Sequence, residues 1–141
     1  MSILATNKGD FNKLKLPEAG TTQAVCCAVW DLGIQSTPFA NDDGTPKTQH
    51  KVVIAWELTE KINEATSAFN GLPYMLSKTY TLSLNEKSNL RKDLESWRGK
   101  MFSDEEIQSG FDLEHLVGVN CLLGVAHVEK NSNTYAKLTA I

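Results

Sequence analysis

The chain has 141 residues, of which 41% are hydrophobic and 22% are charged, and its formal net charge is −3. This size and composition are those of one soluble globular domain, and no apolar run approaches the roughly 20 residues that a membrane-spanning helix needs. The first residues carry no apolar segment of the secretory type. We therefore expect a cytoplasmic protein with no membrane partner.

The positive charge is concentrated in the middle of the chain. Residues 47–100 hold nine Lys or Arg against six Asp or Glu, whereas residues 101–141 hold two against six. A local basic surface favours a polyanionic partner, although the negative total opposes one at long range.

The cysteines and histidines form no metal or disulfide pattern. Cys26 and Cys27 are adjacent in an apolar run, and side chains adjacent on a strand point to opposite faces. We expect free, buried thiols, no metal and no cofactor. The sequence also lacks a phosphate-binding glycine loop, an H-E-x-x-H pair and a nucleophile elbow, so it predicts no catalytic residues and no enzyme.

The N-terminal third predicts an arm, a strand and a loop. Residues 1–20 are polar and end in a Pro-Glu-Ala-Gly turn signal, which separates an N-terminal arm from a domain over residues 21–141. Residues 21–32 are rich in Val, Cys and Ala and contain one Trp, and they predict a strand buried on both faces. Residues 34–49 contain two prolines and an Asp-Asp-Gly turn, which predicts a long hairpin loop.

Two segments of alternating polarity follow. Residues 51–59 predict the second strand, and residues 75–84 predict the third. The predicted core face of the second strand is Val52, Ile54, Trp56 and Leu58. On the third strand, one face carries the hydroxyl groups of Ser77, Thr79, Thr81 and Ser83. The opposite face carries Leu76, Lys78, Tyr80, Leu82 and Leu84, of which Tyr80, Leu82 and Leu84 are expected to point inward.

The apolar period then changes from two to 3.6. Leu90, Leu94 and Trp97 predict a helix of about ten residues that begins after Ser88 and ends at Gly99. Residues 103–106 have the pattern of a capping box for a second short helix, and residues 112–116 predict one more turn. Residues 117–128 and 134–141 predict two closing strands joined by a hairpin.

This order predicts a mainly β protein, a five-stranded OB-fold barrel with a helical insert between strands 3 and 4. Gly118 and Gly124, within the predicted fourth strand, suit the bends of a small barrel. SH3-like barrels and other five- or six-stranded arrangements stay open. In OB-folds, strands 2 and 3 and the end loops commonly bind oligonucleotides or oligosaccharides.

Three runs carry a family resemblance, namely YTLSL at residues 80–84, EKSNLR at residues 86–91 and WRGK at residues 97–100. With weaker similarity over the rest of residues 51–141, they resemble bacteriophage replication-module single-stranded DNA-binding proteins of the OB-fold type. The resemblance implies binding of single-stranded DNA without sequence specificity, in phage DNA replication or recombination. It also implies phage or host replication proteins as partners and the bacterial host cytoplasm as the location.

Such binding needs cations for the phosphates and aromatic rings on which bases stack. The predicted phosphate contacts are Lys51, Lys78, Lys87, Arg91 and Arg98, of which the last three are spaced by four and seven residues and would share one helix stripe. The candidates for stacking are Trp30, Phe39, Trp56, Tyr74, Tyr80 and Tyr135, and the predicted contacts among them are the first five. The competing interpretation is a solvated helix face for the cations, and a core position for Trp56 and Tyr80.

A different class of function stays open as well. The same barrel serves as a scaffold in many proteins, so the chain is alternatively an OB-like protein-interaction or virion structural module without nucleic-acid binding. The net negative charge favours that alternative. The sequence leaves the oligomeric state undetermined.

Overall fold

The computed structural model describes residues 15–141, and most of them belong to one antiparallel β-sheet. The strands are β1 (Gly20–Ala40), β2 (Pro46–Lys61), β3 (Pro73–Thr81), β4 (Asn120–Lys130) and β5 (Asn133–Ala140). Between β3 and β4 lie helix α1 (Asn89–Arg98), helix α2 (Asp104–Ser109) and a 3-10 turn (Leu113–Leu116). The predicted mainly β class, with five strands and a helical insert between strands 3 and 4, is confirmed.

The strand order across the sheet is β3-β2-β1-β4-β5. The central strand β1 pairs with β2 on one side and with β4 on the other, and β3 and β5 form the two edges. These edges approach each other across a gap lined by residues 76–79 and 135–138. Within the described residues no hydrogen-bonded ladder joins the edges, so the sheet does not close on itself.

Strand β1 is long and bent. Its register against β2 shifts between Cys26 and Ala28 and again between Asp31 and Gly33. At the second shift Gly33 adopts a positive φ of 69°, and the Asp31 carboxylate accepts its N–H at 2.8 Å. Such bulges increase the twist of a strand and re-aim its side chains.

The predicted long loop over residues 34–49 is wrong. Strand β1 continues to Ala40 and β2 already begins at Pro46, with a short turn in which Asn41 donates its N–H to the Thr45 carbonyl. Both prolines are tolerated because this two-stranded segment, residues 33–50, extends beyond the part of β2 that pairs with β3. We call this segment the ribbon.

The core lies on one face of β2. Val52, Ile54, Trp56 and Leu58 are all buried, which confirms the predicted core face. Helix α1 covers that face with Leu90 and Leu94, and Trp97 packs against Trp56 with ring centroids 5.9 Å apart. Burying side chains of this size contributes roughly 1.5–3 kcal/mol each, so this layer supplies much of the stability.

The helix ends follow the predicted caps. The Ser88 hydroxyl accepts the Arg91 N–H at 3.1 Å, and Gly99 ends α1 in the left-handed conformation with a φ of 71°. In α2, Ser103 and Glu106 form both halves of the capping box. The predicted additional turn is the 3-10 turn, which Asp112 caps.

Several side-chain placements differ from the predictions. The predicted strand over residues 21–32 is not buried on both faces, because Trp30 and Leu32 are nearly half exposed. Strand β3 ends at Thr81, so Leu82 is exposed rather than inward. Gly118 precedes β4 instead of bending it. Gly124 does lie within β4, where a Cβ would come within 2.8 Å of Thr139 Oγ1 on β5.

Of the predicted arm over residues 1–20, residues 1–14 lie outside the described part of the chain. The remainder is attached to the sheet. Pro17 is buried, and its carbonyl lies 2.6 Å from His127 Nε2 on β4. The Tyr74 hydroxyl donates to the Lys15 carbonyl at the start of β3. These contacts hold the segment that immediately precedes β1 against β3 and β4.

Within residues 15–141 all three cysteines are free thiols. Burial raises the pKa of Cys26 and of Cys121 to about 11, so both are protonated at neutral pH. No cluster of three or more His, Cys, Asp or Glu side chains in this range is arranged to hold a metal ion. None of the helices described has the length and hydropathy to cross a bilayer.

A first prediction concerns the attachment of α1 to β3. The buried Tyr80 hydroxyl donates to Asp93 Oδ2 at 2.6 Å, and Lys78 Nζ lies 2.8 Å from the same oxygen. Tyr80→Phe removes one hydrogen bond to a charged acceptor, so the free energy of unfolding in urea should fall by about 1.5–3 kcal/mol. The control Tyr135→Phe, at an exposed ring, should change it by less than about 0.5 kcal/mol. Equal effects would contradict the assignment.

A second prediction concerns pH. The Ser103 N–H and Arg98 Nη2 both donate to the Glu106 carboxylate, and these hydrogen bonds lower the Glu106 pKa to about 2 from its ordinary 4.5. The ionised Glu106 carboxylate therefore stabilises the folded state. Its contribution is complete above pH 4.5 and is lost as the pH falls toward 2.

Glu106→Gln should therefore lower the midpoint of urea unfolding at about pH 6, and the difference from the wild-type chain should shrink steadily below pH 4.5. The neighbouring, exposed Glu105 provides the control variant Glu105→Gln, for which we expect little change at either pH. If the midpoint of urea unfolding differed between Glu106→Gln and the wild-type chain by the same amount at every pH, the prediction would be contradicted.

Candidate nucleic-acid interface

The face of β1, β2 and β3 that points away from the core is called the outer face. Residues directly opposite each other on antiparallel strands share a face. Trp30 on β1 lies opposite Val53 on β2, and Val53 lies opposite Thr79 on β3. Since Val52 and Ile54, on either side of Val53, point into the core, this row points outward.

One step along the same face, Lys51 lies opposite Thr81. Lys51 Nζ donates to Thr81 Oγ1 at 2.8 Å, and Thr81 Oγ1 donates to Gln49 Oε1 at 3.1 Å. These bonds hold the ammonium group over the strand face without neutralising it. The three side chains form a polar ladder across the root of the ribbon.

An open groove of about 350 Å³ leads from this ladder to the start of α1. Its lining is Gln49, Lys51, Thr79, Tyr80, Thr81, Ser83, Asn85, Lys87, Ser88 and Asn89. The lining contains two cations and no acidic residue. Neither Lys51 nor Lys87 forms an ion pair with any residue in the range 15–141.

The first turn of α1 adds to the positive potential of the groove. Ser88 and Asn89 belong to the lining, and the first turn contains no acidic residue. The N-terminal end of a helix carries a partial positive charge and unpaired N–H groups, which favour anions. Together with the two lysines, it makes the groove suitable for phosphate oxygens.

Trp30 supplies an exposed ring on the same face as the groove, although it does not line the groove itself. It is 47% exposed, and it lies one strand across and two positions along from Lys51 on the same face. A large, exposed aromatic on a sheet, next to unpaired cations, is the arrangement on which nucleic-acid bases stack.

Phe39 lies elsewhere, on the ribbon. Its ring is 68% exposed, as is most of Ile34 on the same strand, and neither lines the groove. The structure therefore does not bring Phe39 together with Lys51 and Lys87. Its position is near the turn, at the far end of the ribbon.

Two predicted stacking residues belong to the core. Trp56 is fully buried and Tyr80 is 2% exposed. The Tyr80 edge reaches the groove lining, but its ring packs under α1 and its hydroxyl bonds to Asp93. Each ring lies on the same face of its strand as aliphatic neighbours that point into the core. A base could stack on either ring only if the core opened.

Tyr74 is half-buried at the other end of the sheet. Burial and the nearby carboxylates of Glu60 and Glu64 raise the pKa of its hydroxyl. It lines a polar cavity of about 560 Å³ together with Lys15, Glu18, Glu60 and Lys61, which is separate from the groove. The acids in this cavity offset the positive charge of its lysines, so it attracts a phosphate less strongly than the groove does.

The three cations predicted to share one stripe along α1 are not all on the helix, and two of them have acidic partners. Lys87 precedes the helix, and Arg91 and Arg98 are engaged with neighbours. Arg91 Nε lies 3.5 Å from Glu95 Oε1 and its Nη1 donates to the Leu84 carbonyl, while Arg98 Nη2 lies 2.7 Å from Glu106 Oε2. Their side chains are 14% and 19% exposed. Both guanidinium groups therefore serve the packing of the helical insert.

Lys78 is also engaged in the fold. Its ammonium group pairs with Asp93 on α1 and lies 5.2 Å from the centroid of the Tyr80 ring. The side chain remains one-third exposed, yet it has an acidic partner that a phosphate would have to displace. Lys51 and Lys87 are thus the predicted cations that the groove retains.

Sequence reasoning missed Gln49 and Asn85 as groove residues. Gln49 lies in the segment that was predicted to be a loop. It follows the same alternation as Lys51 and Val53, so a predicted β2 that began two residues earlier would have included it. Asn85 caps the turn before α1 by accepting the Lys87 N–H at 3.0 Å. No periodic signal marks a single turn residue of this kind.

Comparisons with known proteins add no assignment to this site. No protein-family model matches the sequence, and no curated protein matches it.

Proposed function

We propose that this chain binds single-stranded DNA without sequence specificity, in phage DNA replication or recombination. The observation that carries the proposal is the outer face itself, where the exposed Trp30 ring shares a face with Lys51 and where, among residues 15–141, the charged groups that line the groove are Lys51 and Lys87. Phosphates would contact the lysines and the first turn of α1, and a base would stack on Trp30.

The sheet topology supports an OB-type fold for this function. A strand order of β3-β2-β1-β4-β5, with the helix between β3 and β4 and with the two edges facing each other across a gap, fits a partly open five-stranded barrel. In that fold the face formed by strands 2 and 3 binds oligonucleotides. The groove and Trp30 lie on that face and its neighbour β1.

Stacking gives a reason for preferring single strands. A ring on the protein surface needs the flat face of a base, which a duplex covers with neighbouring bases, whereas an unpaired strand can unstack and turn a base outward. The hydroxyl groups of Thr79, Thr81 and Ser83 hydrogen-bond phosphates or base edges without selecting one base, which suits sequence-tolerant binding.

The net charge of −3 does not preclude this binding. The Debye length is about 8 Å at physiological ionic strength, so acids further away are largely screened from a phosphate in the groove. The cations within the groove then dominate the local potential. With few phosphate contacts, the affinity should be moderate and sensitive to salt.

A protein-interaction function is the second candidate, and the ribbon favours it. Ile34 and Phe39 expose 66% and 68% of their surface there, and neighbouring exposed apolar side chains of this size are typical of protein-protein contacts. Such a contact would depend little on salt, whereas binding to DNA would depend on it steeply.

A third prediction tests the phosphate contacts. Fluorescence anisotropy with labelled oligo-dT should show binding that weakens as salt rises, and much weaker binding to a matched duplex. The double variant Lys51→Gln with Lys87→Gln should weaken oligo-dT binding and flatten the slope of log K against log salt by about 1.4, since each single-strand phosphate contact contributes about 0.7.

The matched control is Lys100→Gln with Lys130→Gln, which removes the same charge at two exposed positions outside the groove. We expect that control to leave the slope nearly unchanged. No binding of oligo-dT at low salt, or equal binding of duplex and single strand, would overturn the proposed function. Equal slopes for the two double variants would move the phosphate contacts away from the groove.

A fourth prediction tests stacking. Trp30→Ala should weaken oligo-dT binding by about 1–3 kcal/mol, or roughly 5- to 150-fold, while leaving the salt slope unchanged, because the ring contributes stacking and no charge. Leu122→Ala is the control, since Leu122 is a large apolar side chain on β4 that is 62% exposed. Equal affinities of the two variants would exclude Trp30 as the stacking residue.

A further inference from the structure

The gap between the edge strands β3 and β5 forms an open cleft of about 360 Å³. Its lining is Leu76, Ser77, Lys78, Thr79, Tyr135, Ala136, Lys137 and Leu138. The Cα atoms of the two strands come within 8 Å of each other, whereas two strands that flank a third are about 10 Å apart. A further strand does not fit there, so a ligand of the gap lies over the two edges.

The gap is continuous with the groove on the outer face, since Thr79 belongs to both linings. On β5, Leu138 is buried, so the alternation of side chains turns Lys137 and Tyr135 to the outer face. Both side chains are exposed, and the Tyr135 ring is 42% exposed. The outer face therefore extends past β3 to an accessible cation and an accessible ring.

Strands β3 and β5 run in the same direction, because each of the four pairings that separate them in the sheet is antiparallel. Residue numbers therefore increase in the same sense on both sides of the gap. Lys137 lies toward the Thr79 end, and Tyr135 lies about 7 Å further along, toward the Leu76 end. A chain that leaves the groove meets the cation first and the ring next.

Charge distinguishes the two ways in which a bound strand could leave the groove. Along the outer face of β2, the alternation that carries Lys51 brings Glu57 to the surface. A phosphate that followed β2 would meet that carboxylate. A phosphate that crossed to β5 would meet Lys137, which forms no ion pair among residues 15–141. The electrostatics favour the path across the gap.

The lining of the gap contains two lysines and no acid. Lys78 is held by Asp93 of α1, so Lys137 is the cation available to a ligand. The acid of the adjacent strand, Glu129, lies opposite Thr134 and shares its face, which by alternation is not the face of Tyr135. The gap therefore resembles the groove in its charge.

We infer that single-stranded DNA bound in the groove continues over Thr79 into the gap, where Lys137 contacts a phosphate and a base stacks on Tyr135. This inference rests on the proposed function and extends its site to β5. A tyrosine ring offers a flat apolar face to any base. The path curves around the edge of β3, which an unpaired strand can follow and a duplex, with a persistence length of about 50 nm, cannot.

The test is fluorescence anisotropy of the full chain with labelled oligo-dT of about 12 nucleotides, long enough to span both openings. Tyr135→Ala should raise the Kd roughly 5- to 150-fold without changing the salt slope, because it removes a stacking ring and no charge. The matched control Tyr135→Phe keeps the ring, so its Kd should stay within about twofold of the wild-type value.

The phosphate contact has its own pair of variants. Lys137→Gln should flatten the slope of log K against log salt by about 0.7, the contribution of one single-strand phosphate contact. Lys130→Gln is the control, since Lys130 is an exposed lysine of the same hairpin that lines neither the groove nor the gap. We expect it to leave the slope nearly unchanged.

A further measurement needs no substitution. Oligo-dT with 5-iodouracil in place of its thymines, irradiated in complex with the wild-type chain, should crosslink to peptide 131–137, which contains Tyr135. Crosslinks confined to β1, β2 and β3, or equal Kd values for Tyr135→Ala and Tyr135→Phe while Trp30→Ala still binds weakly, would overturn the inference and leave the proposed function standing. Failure of the wild-type chain to bind oligo-dT at low salt would overturn both.

Discussion

The strict alternation of side chains along β2 determines both the core and the candidate site. Because Val52, Ile54, Trp56 and Leu58 are buried on one face, Lys51 and Val53 must point to the other. A shift of register by one residue would place an ammonium group in the core and Ile54 in water. The free energy gained by burying the aliphatic face therefore also fixes where the positive charge of the outer face lies.

The helical insert shows why a count of charges is a poor guide to a binding surface. Three of the cations predicted to contact phosphate pair with carboxylates on the helices: Lys78 with Asp93 on α1, Arg91 with Glu95 one turn along α1, and Arg98 with Glu106 on α2. A partly buried cation is stable in the fold only when it is paired with an acid. The acid comes from the three-dimensional packing, which the spacing of cations along the sequence does not reveal. Lys51 and Lys87 form no ion pair among residues 15–141, although Glu86 directly precedes Lys87 in the sequence.

Much of the fold could be predicted because its signals are local. The alternation of β2 and the caps at Ser88, Gly99 and Ser103 each depend on a few consecutive residues. The ribbon could not be predicted in the same way, since its two strands are polar and are ordered by pairing with each other, while the turn residues and prolines within it imitate a loop. The site itself was half predictable, because Lys51, Thr79 and Thr81 follow the strand period but the exposure of Trp30 does not.

The bulge at Cys27 has a consequence for how such a surface arises. Cys26 faces the core opposite Trp56, and uninterrupted alternation would carry Ala28 and Trp30 to that same side. The extra residue resets the count, so that Ala28 lies opposite Ala55 and the indole emerges on the outer face. A single inserted position thus converts what would be an interior tryptophan into an external one without altering any other strand. An insertion or deletion between Cys26 and Trp30 would therefore move this ring from one face of the sheet to the other without any substitution of the tryptophan.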